Sequence, residues 1–413
     1  MKKQSSKWLV VGFLVLLFSS LLWVTTQLSA QQKTQVAPFK IGIVTSISGP
    51  GYGYGQRAVL GIRYRIEEEI NKAGGINGYP VQLITYDTSM RADQSAMLVE
   101  RAATVDKVFA ILGPNSSSDV AAAFPTANRL SVPDIALGGT IRGICEKNAP
   151  WCFSSMMSDD FSMEPLALLI DQYKAKNIVV MVDAKYNYAV SQGEWGYKIA
   201  ERKGVKVLNE KGKLDVETGW PDFTPQVSQI KSLRPDSICA VLYPRDLAHL
   251  AIALKGAGID AKQIPCFGSL MVLPEMIVAG AEATEGWYGS SDFDVESPDP
   301  LQVVWQKKLT DYGKSITTDA GIYTVQTNTA CGYDGAAFVC EAIKRAKITP
   351  STPLQEARTK IRDGLSKIRI KTYSSTEFRF GEGGRYEKDR LVKPIFLLQI
   401  KGGNLVSVGK VSE

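Results

Sequence analysis

Short apolar runs alternate with segments of helical periodicity through most of this 413-residue chain. That alternation constrains the fold more than any other feature. Residues 40–46 (KIGIVTS) read as a strand. After the turn-rich SGPGYGYG, Val59, Ile62, Ile66 and Ile70 recur at helical spacing, which predicts a helix over 56–73. Gly74-Gly75 ends it and Asn77-Gly78 supplies a turn. The order then repeats as strand 81–87, helix 95–105, strand 108–113, helix 119–130 and strand 134–138. Strands this continuously apolar are buried on both faces, which calls for a parallel sheet covered by helices.

A second series follows, with helices at 163–173, 193–203, 223–233 and 246–257 and strands at 177–183, 205–209, 237–243 and 264–270. Beyond it come helices at 300–312 and 329–347. A third opens on the capping-box sequence Thr352-Pro353-Leu354-Gln355 and runs to about 364. Two β-rich runs, 377–380 and 394–401, close the chain. Single cores stop growing at roughly 250–300 residues, so two are expected. The class is therefore α/β, with two doubly wound parallel-sheet lobes. With no low-complexity linker, the lobes should be joined by several short strand-like crossings that allow hinge bending around a cleft.

Charge and residue usage remove several kinds of function. The net charge is +6, and Lys2, Lys3 and Lys7 supply three of those charges. No basic run remains beyond them, so nucleic acid is not an expected partner. The single histidine, His249, lies in the helix-like DLAHLAIALKGA. It excludes a His-rich metal site and leaves a Ser-His hydrolase only one imidazole to use. No CxxC occurs, and neither a metal nor a cofactor is expected.

The three lysines precede an apolar stretch at 8–24, and Leu28-Ser29-Ala30 follows with a small residue at the end. That order is typical of a secretory signal peptide over residues 1–30, with an uncleaved anchor as the alternative. The expected location is periplasmic or extracellular. In an oxidising compartment Cys145 and Cys152, which flank the short loop in ICEKNAPWCF, are expected to form a disulfide. Cys239 and Cys266 read as buried strand residues, and Cys331 and Cys340 lie too far apart along one helix to pair.

Gly53-Tyr54-Gly55-Gln56-Arg57-Ala58 matches G-x-G-x-x-A ahead of a helix. The strand ends several residues earlier, however, and no acid stands about 20 residues on at a second strand end, so a dinucleotide site is not expected. Ligands of open α/β sheets bind outside the carboxyl ends of strands. There the chain places Tyr54, the run Asn115-Ser116-Ser117-Ser118 and Gly138-Gly139-Thr140. Ser117 and Thr140 offer hydroxyls, the helix beyond offers its positive end to an anion, and the glycines permit close approach. No pairing of these groups suggests catalysis.

These segments carry a resemblance: 41–54 (IGIVTSISGPGYGY), 71–78 (NKAGGING), 110–118 (AILGPNSSS) and 136–140 (ALGGT). In order and spacing the chain resembles the type I periplasmic binding proteins of ABC transporters, in the branched-chain amino acid, amide and urea branch. The resemblance implies Rossmann-like lobes that are discontinuous in sequence, 38–157 plus 291–390 and 158–290 plus 391–413. It implies no enzymatic activity, a small-molecule ligand (amino acid, amide, urea or carboxylate) held between the lobes, and a membrane permease as partner. A ligand-sensing receptor domain of the same fold is the alternative.

By position in such proteins, Ser117 and Thr140 would hold the ligand carboxylate with backbone groups at Gly138. Tyr54 would close over it from the first lobe, and Tyr188, or Tyr186, from the second. Leu270 stands where leucine-binding members carry an acid for the ligand ammonium. Either another acid, such as Asp246 or Asp292, reaches the cleft, or the ligand lacks an α-ammonium.

Overall fold

The computed structural model describes residues 36–49, 51–373 and 376–411. The export-signal reading of residues 1–30 lies outside the described residues. All contacts below lie within the unit Phe39–Glu413.

The first sheet is wholly parallel. It takes its strands from β1 (Phe39–Thr45), β2 (Val81–Asp87), β3 (Ala110–Leu112), β4 (Asp134–Ala136) and β5 (Cys152–Ser154), in the order β2-β1-β3-β4-β5. Side chains of β1 divide between its two faces. Phe39, Ile41 and Ile43 enter one apolar cluster and Val44 the other, which explains a strand with so little polar content. Helix α1 (Tyr52–Arg63), which runs on as a π-helical segment (Tyr64–Asn71), covers the first face. Helices α2 (Ala92–Thr104) and α3 (Ser117–Arg129) cover the second.

Helix α1 begins four residues before its expected start, inside the glycine-rich segment. The glycines there are helical residues at a close approach: a Cβ on Gly55 would lie 1.8 Å from the Ser46 carbonyl oxygen. The first turn of α1 thus rests directly on the end of β1, which places Tyr54 beside it.

After a short helix α4 (Ile144–Lys147) and β5, the chain crosses to the second sheet. In chain order the elements are α5 (Asp159–Tyr173), β6 (Asn177–Val182), α6 (Asn187–Arg202), β7 (Lys206–Val207), α7 (Thr224–Leu233), β8 (Ser237–Val241), α8 (Pro244–Gly256), β9 (Cys266–Phe267), α9 (Pro274–Gly280) and β10 (Tyr288–Ser291). The chain returns through α10 (Pro300–Ile316), α11 (Ala320–Tyr323), α12 (Thr327–Ala346), α13 (Leu354–Leu365) and the pair β11 (Arg369–Lys371) and β12 (Glu377–Arg379). It then crosses a third time into β13 (Ile395–Lys401) and β14 (Asn404–Val411).

The seven-stranded order is β14-β13-β10-β9-β8-β6-β7. It is not the fully parallel sheet expected from the second series, because β13 pairs antiparallel with both β10 and β14. A chain returning from the first lobe to the sheet edge beside β10 can close with a tight hairpin, which parallel pairing would forbid.

Three local expectations fail for identifiable reasons. Cys145 and Cys152 form no bridge. Both are free and buried, and the Cys152 thiol is turned to the Phe124 carbonyl at 3.4 Å. Thr352 does not cap α13, whose cap position is Pro353; its hydroxyl instead accepts from the Thr349 amide at 3.0 Å. The expected strand at 264–270 ends at Phe267, and Ser269–Met271 form a 3₁₀ turn that starts with Ser269 at φ 54°.

Where the crossings meet, Lys393 is fully buried with its Nζ 3.0 Å from Asp334 and 3.4 Å from Asp292. Asp292 follows β10, Asp334 belongs to α12 and Lys393 precedes β13, so one cation ties three segments together. Burial alone would push its amine down, but Asp292, Cys331 and Asp334 hold it well above the usual lysine range. Among the described residues no helix is long and apolar enough to cross a membrane.

Candidate functional site

Strand ends of both sheets face one cavity. All six residues singled out in the sequence line it: Tyr54, Ser117, Gly138 and Thr140 from the first lobe, Tyr188 and Leu270 from the second. Tyr188 owes its place to α6, which starts at Asn187, six residues before its expected start. Tyr186, the alternative, packs edge-on against Tyr243 at 4.8 Å and does not line the cavity.

The first-lobe wall is two loops pressed together at backbone distance. Asn115 Oδ1 accepts from the Ser46 amide at 3.1 Å and its hydroxyl at 2.9 Å, which fastens the serine loop to the end of β1. Ser116 caps α3 by accepting from the Asp119 amide at 3.2 Å, so Ser117 is left to face the cavity. A Cβ on Gly138 would sit 2.0 Å from the Asn115 carbonyl oxygen, and Gly139 adopts φ +71°. No other residue fits either position, and the pair brings Thr140 alongside Ser117. Behind Thr140 lies Asp159, fully buried. Burial pushes its carboxyl up to about 6, although neighbouring polar groups, among them Gln192, which donates to it at 3.1 Å, oppose the shift.

The opposite wall is aromatic. Tyr243 makes edge-to-face contacts with Tyr54 at 6.2 Å and Tyr188 at 5.4 Å. Burial holds all three phenols well above the usual tyrosine range, so they stay protonated. Two of them reach across the cleft to sulfur: Tyr54 donates to Met271 at 3.1 Å, and Tyr243 donates to Met90 at 3.6 Å. The buried hydroxyls of Thr140, Tyr188 and Ser290 also line the cavity and have no hydrogen-bond partner among the described residues. Such groups cost free energy unless something bound satisfies them.

Among the described residues no Asp, Glu, Lys, Arg or His lines the cavity. Asp246 accepts from the Gly219 amide at 3.0 Å, and Asp292 pairs with Lys393, so neither acid proposed as a substitute for the one absent at Leu270 reaches the cavity. His249 is exposed on α8 and belongs to no catalytic set. The arrangement can bind a solute, but it offers no base to activate a nucleophile.

Sequence reasoning missed several lining residues. Tyr243 stands just past β8 and could have been found by applying the strand-end rule to the second lobe. Ser290 and the start of α12, Gln326-Thr327-Asn328, are brought in by the return crossing and carry no local signal.

The profile of the family described as periplasmic binding protein matches residues 38–404. The chain belongs to this family. Among curated relatives, the leucine-, isoleucine-, valine-, threonine-, and alanine-binding protein of Pseudomonas aeruginosa is 25% identical over 310 residues, which is 74% of this chain and 78% of that protein. Among solved structures, a leucine binding protein from Thermotoga maritima superposes with a TM-score of 0.76 at 22% identity, covering 90% of this chain and 98% of the other. A solute binding protein of an ABC transporter from Rhodopseudomonas palustris, in complex with p-hydroxybenzoic acid, gives 0.77 at 18% identity, covering 91% and 97%. This periplasmic binding protein is thus a solute-binding protein of the type I fold and not an enzyme.

Proposed function

We propose that this periplasmic binding protein is the receptor of an ABC importer for a small carboxylate without an α-ammonium group, with an aromatic or branched apolar body. One observation carries the reading: among the described residues the cavity is lined by hydroxyls, amides, tyrosines, methionines and aliphatics but by no carboxylate. A buried ammonium would have no counter-ion there, at a cost of several kcal/mol. A carboxylate, by contrast, meets the positive end of the 13-residue α3 at Ser117, with the Thr140 hydroxyl beside it. The apolar body then packs among Tyr54, Tyr188 and Tyr243. A neutral hydroxyl at its far end would satisfy Tyr188 and Ser290.

Ligand panels read by thermal shift test this directly. Bound solute at 100 times Kd stabilises by about 2.7 kcal/mol. Benzoate and 4-hydroxybenzoate should raise Tm, the latter more, while leucine, isoleucine and urea should not. Stabilisation by leucine with no response to either benzoate would overturn the reading.

In this reading residues 1–30 direct export. The lobes, divided near residues 157, 290 and 390, close over the solute, and the closed form is presented to a membrane permease. Closure is favoured by contacts that exist only between closed lobes. One of these is the pair of fully buried Arg57 on α1 and Glu275 on α9, at 2.7 Å. Arg57 Nη1 also donates to the Gly321 carbonyl at 2.9 Å, while Nε and Nη2 have no hydrogen-bond partner, so removing the acid leaves the buried guanidinium with that one bond and no counter-ion. Glu275→Ala should weaken 4-hydroxybenzoate binding about 10-fold in calorimetry while leaving the ligand-free Tm in place. Unchanged affinity would remove the pair from the closing mechanism.

A further inference from the structure

We infer that Arg390, which touches no solute and does not line the cavity, is the positioning residue that sets the solute-facing loop at residues 138–141. The inference rests on the proposed role of that loop in binding.

The guanidinium is 3% exposed and makes contacts on all three nitrogens. Nη2 donates to the carbonyls of Gly139 at 3.1 Å and Ile141 at 3.0 Å. Nη1 donates to the Met156 carbonyl at 2.9 Å and to Ser154 Oγ at 3.1 Å. Nε donates to Glu387 at 2.8 Å, and the other oxygen of that carboxylate accepts from the Cys145 amide at 3.0 Å. Ser154 Oγ in turn lies 3.2 Å from the Gly138 carbonyl oxygen, and the Thr140 carbonyl accepts from the Asp159 amide at 2.7 Å.

Every carbonyl from 138 to 141 is therefore engaged away from the cavity, two of them by Arg390 and a third through the serine that Arg390 holds. A loop whose acceptors are committed on one side can present donors on the other, which is what an anionic group requires. The same guanidinium also grips the first crossing at Ser154 and Met156 from its place at the third, where Arg390 pairs with Ser154 as an isolated bridge. One planar fork thus registers the binding loop against two of the segments that join the lobes. A lysine could not reproduce that geometry.

The test compares Arg390→Met with Arg358→Met. Arg358 is similarly buried and donates to the Ala103 and Val108 carbonyls, remote from the cavity. Both variants should lose thermal stability. With 4-hydroxybenzoate as the calorimetric probe, Arg390→Met should bind about 10- to 100-fold more weakly, and Arg358→Met should bind as the parent does. Arg390→Lys keeps the charge and should fall between them, and it stands in if the methionine variant does not fold. Parental affinity in a folded Arg390 variant, or equal losses in both methionine variants, overturns the inference.

Amide exchange on the ligand-free proteins gives an independent arm. The amides of Asp159 and Cys145, which donate to the Thr140 carbonyl and to Glu387, should exchange slowly in the unaltered protein, faster in Arg390→Met and as in the parent in Arg358→Met; parental exchange in Arg390→Met also overturns it. If the unaltered protein binds neither benzoate nor 4-hydroxybenzoate, the ligand reading fails and the exchange result alone decides the role of Arg390.

Discussion

The variant Ser117→Ala, Thr140→Ala should bind carboxylate solutes at least about 100-fold more weakly than the parent. In the proposed binding mode each hydroxyl donates to the solute carboxylate, and such charge-assisted bonds contribute about 1.5–3 kcal/mol apiece. Two of them cover at least two decades in Kd. The protein itself should survive the change. Ser116 rather than Ser117 caps α3, and Gly138 and Gly139 already fix the backbone beneath Thr140. Thr140 does have a second neighbour in Asp159, so the single Thr140→Ala variant should show a small loss of Tm that Ser117→Ala does not. Calorimetry on the four members of this cycle separates the two hydroxyls from their coupling. A double variant that binds with parental affinity would place the solute elsewhere.

The largest effect on stability is expected at Lys393→Met. The lysine is the sole cation contacting Asp292 and Asp334 among the described ion pairs, and all three side chains are fully buried. Removing one member of such a cluster leaves uncompensated buried charge, at a cost of about 3–5 kcal/mol. The loss should depend on pH. Burial already raises the Asp334 carboxyl, and without Lys393 it rises further. A carboxyl raised in the folded state binds more protons there than in the unfolded chain. The variant's stability should therefore fall as pH rises from about 4 through the folded-state pKa. Its deficit against the parent should be largest near pH 7 and shrink towards pH 4.5. The parent lysine, held above its ordinary value, contributes across that whole window. Urea unfolding at pH 4.5 and 7 measures both numbers. A deficit that does not change with pH would mean the carboxylates had found other partners.

Much of the scaffold was legible because it rests on periodicity. The strands of the first sheet through β4 and the helices between them follow from apolar runs and spacing, and the strand-end rule carried the first-lobe site residues into one cavity. What was missed has physical causes. β5 is three residues long beside a cysteine loop, too short for any pattern, and β14 alternates weakly on an exposed edge. The start of α1 was masked by glycines that signal turns locally and close approach in three dimensions. Leu270 lines the cavity, but from a 3₁₀ turn rather than the expected strand. Arg390 sits in a charged stretch, EKDRLVK, that reads as solvated surface. Only the crossing segments around it reveal that this charge is interior.

The six cysteines are all free and all buried, and burial pushes the thiols of Cys145, Cys152, Cys239, Cys266, Cys331 and Cys340 up, away from the reactive thiolate. The architecture therefore depends on no covalent staple. A reducing agent finds no bond to cut among these six thiols, so thermal stability should be the same with and without it.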